Sequence, residues 1–355
     1  MKFNFLSKTL PSFGLDVSGG SFKIMQFQKK GSSLAVKSYH SGTMPKGLII
    51  NDVISDAKTF DYLLKQALDK PQYGRVDTNY AVVSLPESKS FVRVIQIPKM
   101  SESEAESAVP YEAENFIPMP IDQVYLDWQK VGESEDKMNV LMIASPKEFA
   151  DKYLEILDKA GVRPTALEVE SQSCHRALVS PTAKETVLLV DIADLRTSLI
   201  MVEDGNLQFT STIPIAGNTF TDSIAKALGV SSAKAEEIKR KVGIANTTEY
   251  PNIKTALLPI LNNLTAEIKN ILKFHAEHSQ KQVSQVFLMG GSAKLVNLAE
   301  FLGSQLSEAG VPQVALANPW LNLPQIQNRP IEALESLGFV TAIGLATRGA
   351  EYEVL

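Results

Sequence analysis

GLDVSGGSFKIMQF, at residues 14–27, is the stretch of sequence that decides the fold. A short apolar strand at 13–17 carries Asp16, and the turn Ser18-Gly19-Gly20-Ser21 leads into a second apolar strand. A carboxylate near a strand end can face a cleft, and the backbone N–H groups of a turn of small residues can approach phosphate oxygens. Lys23 supplies a point charge for the same anion. An ordinary hairpin turn with an exposed lysine is the alternative interpretation of this loop by itself.

The same pattern recurs in the second half of the chain. Asp191 lies near the end of the apolar run TVLLVDI at 186–192, and further strands are predicted at 198–202 and 207–215. In each half a glycine, Gly42 or Gly217, comes 26 residues after the aspartate. We interpret the pattern as an internal duplication that gives two related halves facing each other across a cleft. Two carboxylates, one from each half, suit a Mg²⁺ ion that keeps its waters and holds a polyphosphate.

Composition excludes several classes of protein. The 355 residues include 35 basic and 40 acidic side chains, a net charge of −5 without a long run of one sign, which argues against nucleic acid as the partner. The single cysteine, Cys174, excludes a disulfide framework and a cysteine-based zinc cluster. No apolar run reaches about 18 residues, and residues 1–11 lack the apolar core of a signal peptide. We therefore expect a soluble protein of two or three domains in a reducing compartment.

Residues 86–165 have the pattern of a separate module. Strands are predicted at 91–97, 124–131 and 139–144, and a helix at 147–160 closes the module. Ser101 and Glu104 form a capping box that opens a helix running towards Phe116, and Pro110 predicts a kink or break within it. This acidic helix is either a solvated face or a docking surface. Before the module, a helix is predicted over 52–70.

Two later motifs have binding chemistry. Gly290 and Gly291 follow an apolar strand at 283–289 and precede a predicted helix, a context that lets the backbone meet a flat ligand such as adenine. Glu236 and Lys239 share one helix face at i, i+3. They suit a ribose, or they form an ordinary surface pair.

Other reactive side chains have structural interpretations. His275 and His278 lie three residues apart on a predicted helix at about 255–278, without a third metal ligand nearby in the sequence. Cys174 has no evident His/Asn partner pattern. The chain contains no G-x-S-x-G, H-E-x-x-H or Walker A motif.

With these segments in view, the chain resembles the actin-like ATPase superfamily over nearly its whole length, and within it the PilM family of type IV pilus assembly proteins. The resemblance rests on residues 14–27 and on VRVIQIPKMSESEAESAVPYEAENFIPMPIDQVYLDWQ (92–129), LLVDIADLRTSLIMVEDG (188–205), IPIAGNTFTDSIAKALGVSSAKAEEIKR (213–240), LMGGSAKL (288–295) and GFVTAIGLATRG (338–349). It implies an α/β, duplicated, RNase H-like fold of two lobes with an inserted small subdomain of the type shared by PilM and FtsA.

The resemblance also implies a nucleotide site between the lobes, holding ATP and Mg²⁺. Residues 14–27 match the first phosphate loop, and Asp191 matches the carboxylate of the second, with Asp16 and Asp191 holding the metal through water. Glu170 matches the residue that orients the attacking water. The remaining matches are Asp16, Ser18, Gly19, Gly20, Ser21 and Lys23 on the first loop, Gly217 and Asn218 on a turn near the nucleotide, Glu236 and Lys239 at the ribose, and Gly290, Gly291 and Ser292 at the adenosine.

One loop departs from the superfamily pattern. The second phosphate loop usually reads Asp-Ile-Gly-Ala or similar, and here it reads Asp191-Ile192-Ala193-Asp194. Ala193 adds a Cβ atom where backbone should approach phosphate, and Asp194 adds a negative charge. Both changes weaken the expectation of tight ATP binding, and that of turnover still more.

The resemblance divides the chain into four expected parts. The first lobe takes 13–85, about 165–185 and 330–349, and the inserted subdomain takes 86–164. The second lobe takes 186–218 and 280–329, and a helical subdomain takes 219–279.

Three functions follow as alternatives. The first is a cytoplasmic scaffold that is peripheral to the inner membrane and binds ATP to fix its lobes. It docks the N-terminal cytoplasmic peptide of a PilN-like inner-membrane protein. Pilus motor ATPases and further copies of this chain are additional expected partners. The expected groove runs along 82–98 and 116–128, by strand addition or by filling apolar pockets. The second is an active ATPase or kinase using Asp16, Asp191 and Glu170. The third is an FtsA-like, filament-forming membrane tether. It predicts a basic amphipathic C-terminal helix, whereas this sequence has the acidic segment GAEYEVL at 349–355.

Overall fold

The computed structural model describes residues 11–351 except 32, 246, 312, 324 and 325. The expectations about residues 1–10, about position 32 of the first hairpin turn and about the last four residues of the acidic C-terminal segment lie outside the described residues.

The described chain is a mixed α/β structure. Its strands are β1 (Phe13–Ser18), β2 (Ser21–Lys30), β3 (Ser33–Thr43), β4 (Ile49–Ile50), β5 (Val53–Ile54), β6 (Tyr73–Gly74), β7 (Tyr80–Leu85), β8 (Phe91–Pro98), β9 (Val124–Glu133), β10 (Lys137–Pro146), β11 (Arg163–Val169), β12 (Thr186–Ile192), β13 (Thr197–Glu203), β14 (Asn206–Ile213), β15 (Val283–Met289) and β16 (Val314–Leu316). Its α-helices are α1 (Ala57–Asp69), α2 (Glu102–Ala113), α3 (Lys147–Lys159), α4 (Glu170–Leu178), α5 (Gly217–Leu228), α6 (Ser232–Val242), α7 (Ile253–His278), α8 (Leu298–Ser307), α9 (Ala333–Ser336) and α10 (Val340–Glu351).

Two large sheets repeat one topology. The first has the order β11-β7-β1-β2-β3-β6, and the second begins β16-β15-β12-β13-β14. In both, a three-stranded antiparallel meander lies beside two parallel strands, because β1 runs parallel to β7 as β12 does to β15. The predicted internal duplication is therefore present. The two glycines are not equivalent, however: Gly42 lies inside β3, whereas Gly217 begins α5.

The last helix packs closely on the strand that carries Asp16. A Cβ atom on Gly14 of β1 would lie 2.5 Å from the carbonyl oxygen of Ala342 in α10, so only glycine allows this approach. Beside it, the fully buried Glu168 carboxylate pairs with Arg176 at 2.6 Å and with Arg348 at 2.9 Å. Two partners compensate the cost of burying this charge. The strand that supplies Asp16 is thus rigidly backed.

Within the module expected at residues 86–164, the strands β8, β9 and β10 and helix α2 share an apolar cluster of their own, built around Ile97, Val109 and Val140. These strands are ordered β8-β10-β9, and β8 joins the second sheet through the pairing of Arg93 with Phe209 of β14. The capping box of Ser101 and Glu104 is present at the start of α2. The helix runs through Pro110 to Ala113, so the proline does not end it. Strand β9 is one edge of the second sheet, and β16 is the other.

Two helices begin later than the sequence indicated. The helix expected from residue 52 begins at Ala57, capped by Asp56, because Asn51 and Asp52 have positive φ angles of 49° and 64° and form the turn of the β4–β5 hairpin. The helix expected from Ala293 is a single 3₁₀ turn, and α8 follows it from Leu298. The left-handed residue Asn297 separates this 3₁₀ turn from α8. Within the described part of the chain, no helix combines the length and apolar character needed to cross a bilayer.

Candidate functional site

The first candidate loop is the turn between β1 and β2. Asp16 is almost fully buried and faces Lys23 across the hairpin. Its carboxylate accepts a 3.1 Å hydrogen bond from the Ser84 hydroxyl, and the Lys23 ammonium donates to the Ser21 hydroxyl over 2.8 Å. The other loop residues named from the sequence are half-buried around this turn: Ser18, Gly19, Gly20 and Ser21. The hairpin therefore brings a carboxylate, an ammonium group and two serines to one end of the first sheet.

The second candidate loop, residues 193–196 between β12 and β13, lies directly against the first. A Cβ atom on Gly19 would lie 2.5 Å from Leu195 Cγ, and one on Gly20 would lie 2.7 Å from Asp194 Oδ2. A side chain at either glycine would have to displace the side chain of Leu195 or Asp194. The two glycines therefore have a structural purpose, the contact between the loops, besides the phosphate contact that the sequence suggested.

Four carboxyl groups influence one another where the loops meet the start of α4. Burial raises the pKa of Asp191 to about 7, and the charge of Asp16 adds to the effect, against Lys23. Burial, then the charges of Asp16, Asp191 and Glu87, raise the pKa of Glu170 well above its usual range. A bound cation would relieve this repulsion. The described residues contain no group of three His, Cys, Asp or Glu side chains placed to ligate an ion together.

We expect Asp191→Asn to stabilise the ligand-free protein by about 1–2 kcal/mol at about pH 8. The folded-state pKa of about 7 lies above the ordinary value of 3.8, so the folded protein holds this proton more tightly than the unfolded chain. The stability contribution is therefore present at low pH and lost as the pH rises through about 7. Urea denaturation at about pH 5 and pH 8 measures the effect, and the variant should show the smaller loss between them. A variant less stable than the wild type at the higher pH would contradict this electrostatic account.

The start of α5 holds the second loop. The backbone N–H of Gly217 donates to the carbonyl oxygen of Ala193 over 2.8 Å, and that of Asn218 donates to the carbonyl oxygen of Asp194 over 3.0 Å. Both helix-terminal donors are therefore engaged with the loop. The structure places Gly217 and Asn218 as supports of the second loop.

Glu236 and Lys239 of α6 reach the same helix start. The Lys239 side chain is buried and its ammonium donates to the Gly217 carbonyl oxygen at 3.0 Å and to the Thr221 hydroxyl at 2.9 Å. Although burial opposes it, hydrogen bonds from Lys239, Thr221 and Arg240 lower the pKa of Glu236 to about 2. Lys239 is thus not half of an ordinary surface pair, whereas the Glu236 carboxylate remains partly exposed.

Lys239→Met should destabilise the protein by about 2–4 kcal/mol, because it leaves the Gly217 carbonyl and the Glu236 carboxylate without their buried partner. The matched control is Lys234→Met on the same helix, since Lys234 forms an exposed i, i+3 pair with Glu237. An exposed pair contributes about 0–1 kcal/mol. Urea denaturation of both variants makes the comparison, and equal losses would show that burial of Lys239 carries no special weight.

The Gly290–Ser292 segment closes the far side of the cleft. Gly290 has a φ of 87°, and a Cβ atom there would lie 2.3 Å from Asp191 Oδ1. The Ser292 hydroxyl oxygen lies 2.5 Å from where a Cβ atom on Gly217 would be. Gly291 is exposed, and nothing lies within 4 Å of a Cβ atom added to it. Open space beside backbone at this position fits a flat ligand.

Sequence reasoning missed two residues of this region. Glu87 is buried: its N–H donates to Glu170 Oε2 over 3.2 Å, and its carboxylate accepts from the Ser171 N–H over 3.1 Å. Arg196, in the second loop, pairs with Asp52 in the turn of the β4–β5 hairpin. Two sequence signals were available for them. Glu87 directly follows Pro86 at the entrance to the inserted module, and Arg196 ends the second loop.

The remaining reactive side chains are structural. His275 is buried at the end of α7, where its Nε2 lies 3.1 Å from the carbonyl oxygen of Lys281. His278 Nδ1 lies 2.8 Å from the carbonyl oxygen of Phe274. Cys174 is fully buried against Thr341. These contacts agree with the structural interpretations made from the sequence.

A second candidate surface is a groove of about 770 Å³ between α2 and the edge strand β9. Exposed Tyr125 and half-buried Trp128 lie along it. Its lining also contains the acidic residues Glu102, Glu106 and Asp127 and the basic residues Lys130 and Lys147. Of the two ranges expected to line a groove, only residues of 116–128 contribute here, because β8 lies at the opposite side of the three module strands.

Comparison with known proteins places this architecture in a family. The model of the family described as type IV pilus assembly protein PilM matches residues 14–350. The chain belongs to the PilM family. A solved structure titled "PilM-PilN type IV pilus biogenesis complex" matches with a TM-score of 0.81 and 28% identity over 97% of this chain and 100% of that one. The predicted membership and actin-like fold are confirmed.

More distant relatives share the fold. The cell division protein FtsA of Bacillus subtilis is 22% identical over 85% of this chain and 75% of its own length, and FtsA of Pseudomonas aeruginosa is 27% identical over 42% of this chain and 43% of its own. MreB 5 of Spiroplasma citri, solved with AMPPNP, has a TM-score of 0.57 at 12% identity over 97% of both chains. At such identities the structural match establishes the fold alone. This chain therefore has the actin-like fold and a detectable sequence similarity to FtsA.

Proposed function

We propose that this protein is a cytoplasmic scaffold of the type IV pilus assembly machine, peripheral to the inner membrane, that docks the N-terminal peptide of a PilN-like protein. The observation that carries the proposal is the match to the PilM–PilN complex over nearly the whole of both chains. Recruitment to the membrane would come through the partner. Pilus motor ATPases and further copies of this chain are additional candidate partners.

We place the peptide on the free edge of β9. Within the described residues β9 pairs only with β10, so its outer backbone groups can accept an added strand. The Tyr125 and Trp128 side chains provide aromatic surface beside that edge. The carboxylates of Glu102, Glu106 and Asp127 favour a peptide with basic residues.

We further propose that the two loops hold a nucleotide. MreB 5 was solved with AMPPNP and with ADP, and the residues here fit such a ligand in two respects. Burial raises the pKa values of Asp16, Asp191 and Glu170, and the charge of Asp16 adds to the rise at Asp191 and Glu170, so a bound cation would stabilise their ionised forms. The backbone beside Gly291 faces open space.

Mg²⁺ would neutralise the phosphates, and Asp16 and Asp191 would hold it through water, since Mg²⁺ usually keeps several waters. Lys23 and the first loop would position the phosphates, and Glu236 would meet the ribose. Lys239 orients Glu236 and the start of α5. Asp194 places a negative charge beside the first loop, which opposes a triphosphate and supports a structural rather than a rapidly cycling nucleotide.

A slow ATPase is the second candidate, because Glu170 is held beside the acidic cluster by the Glu87 N–H. In either case the chain would act as the four parts expected from the sequence. The first lobe would take 13–85, about 165–185 and 330–349, and the second would take 186–218 and 280–329. The inserted docking subdomain would take 86–164, and the helical subdomain would take 219–279.

Calorimetric titration of the N-terminal cytoplasmic peptide of the organism's PilN-like protein tests the docking function. We expect one peptide to bind per chain with a dissociation constant in the micromolar range, about −8 kcal/mol, and a scrambled peptide of the same composition to bind far more weakly. Equal binding of the two peptides would reduce the interaction to charge attraction, and no binding of either would overturn the proposal.

A further inference from the structure

Arg196 connects three parts of the molecule at the rim of the cleft. It ends the second loop, and its guanidinium pairs with the Asp52 carboxylate and donates to the Ser88 hydroxyl over 2.8 Å. The Ser88 hydroxyl in turn donates to Asp52, so the three side chains form a closed set. Arg196 is 16% exposed and Asp52 is 9% exposed. The pair is thus shielded from most of the solvent, where charge attraction is screened least.

The backbone of Asp52 is shaped for this contact. Asn51 and Asp52 form the turn of the β4–β5 hairpin with positive φ angles, a conformation that side-chain-bearing residues adopt rarely. The hairpin follows β3 of the first sheet, whereas Arg196 belongs to the second. The contact therefore connects the second loop to a two-residue hairpin turn, whose left-handed conformation Asn and Asp tolerate better than most residues.

The third side chain of this set belongs to Ser88, which lies at the start of the inserted module. Ser88 lies in a 3₁₀ turn, Glu87–Lys89, between β7 of the first sheet and β8 of the module. The preceding residue, Glu87, exchanges hydrogen bonds with the start of α4, where Glu170 lies. The Arg196 guanidinium thus contacts the segment through which the chain passes from the first sheet into the inserted module, and the same segment contacts the acidic cluster.

We propose that Arg196 is a latch that holds the second loop closed on the first sheet and so sets how slowly a nucleotide leaves the cleft. The latch rests on the proposed nucleotide site, but its effect on closure does not require a ligand. Loss of the guanidinium leaves the partly buried Asp52 carboxylate unpaired beside Ser88, which favours separation of the two loops. The loops otherwise meet through the Gly19–Leu195 and Gly20–Asp194 contacts, which contain no ion pair.

The test measures closure and nucleotide release separately. Spin labels are attached at Lys58→Cys and Lys226→Cys, two exposed positions on α1 and α5, and native Cys174 does not react because it is fully buried. Electron paramagnetic resonance then gives the distance distribution in ligand-free wild type, Arg196→Gln and the charge-conserving variant Arg196→Lys. Stopped-flow release of Mg²⁺ and fluorescent N-methylanthraniloyl-ADP gives the dissociation rate of the nucleotide in the unlabelled proteins.

We expect Arg196→Gln to shift the distances to longer values and to speed nucleotide release roughly tenfold, with Arg196→Lys, which keeps the positive charge, showing a smaller change in both. The control is Lys159→Gln, which removes an exposed ion pair on α3 and should change neither. Unchanged distances in Arg196→Gln overturn the latch, as does an unchanged release rate when the wild type binds. If the wild type binds no nucleotide while Arg196→Gln still opens, the nucleotide proposal fails and the closing contact stands.

Discussion

Asp16→Ala and Asp191→Ala should each weaken Mg²⁺-ATP binding at least about a hundredfold, a loss of about 2.7 kcal/mol or more. The two carboxylates lie in β1 and β12, the equivalent strands of the duplicated sheets. Burial raises the pKa of both, and the charge of Asp16 raises that of Asp191 further. Each is expected to hold the metal through water, so either loss leaves the phosphate charge under-neutralised. Isothermal calorimetry at fixed Mg²⁺ measures the binding, and a phosphate-release assay runs beside it.

Two further variants make this result interpretable. Asp69→Ala removes an exposed carboxylate at the end of α1 and should bind like the wild type. Gly291→Ala places a methyl group in open space, so it should leave the fold intact while weakening binding if the adenosine lies there. Retained binding in both aspartate variants would move the site elsewhere. Rapid phosphate release by the wild type would favour the ATPase over the scaffold.

Tyr125→Ala and Trp128→Ala should each weaken binding of the PilN-like peptide roughly thirtyfold, and together they should abolish it. Both side chains line the groove beside the edge of β9, where a peptide strand would cover them. Aromatic anchors at the centre of an interface contribute most of its energy, typically about 2 kcal/mol or more each. Calorimetry with the same peptide gives the comparison.

The matched control is Tyr62→Ala, because Tyr62 is 60% exposed on α1 of the first sheet, away from this groove. Circular dichroism checks that Trp128→Ala, which also packs on the module's apolar cluster, remains folded. Added salt should weaken binding of a basic peptide, since acidic residues line the groove. Wild-type affinity in the double variant would exclude the β9 edge as the docking site.

Short-range patterns account for what the sequence predicted well. The meanders β1-β2-β3 and β12-β13-β14 follow from apolar runs joined by turns such as Ser18–Ser21 and Asp204-Gly205, whose signals lie within a few residues. The capping box at Ser101 is likewise local. The same locality explains the late start of α1: the helical spacing around Leu63 and Leu64 was clear, but the left-handed turn at Asn51 and Asp52 has no comparable periodic signal.

By itself, the sequence determined the duplicated fold, the family and the aspartates that lie in equivalent strands, because hydrophobic period and turn chemistry are encoded locally. Only the tertiary structure decided which groups meet: Leu195 on Gly19, Lys239 beneath Gly217, Glu87 against Glu170, and Arg196 with Asp52. It also decided that β9, rather than β8, is the edge strand at the module end of the second sheet. Such pairings join residues far apart in the chain, and burial, charge and packing select them only once both sheets have formed.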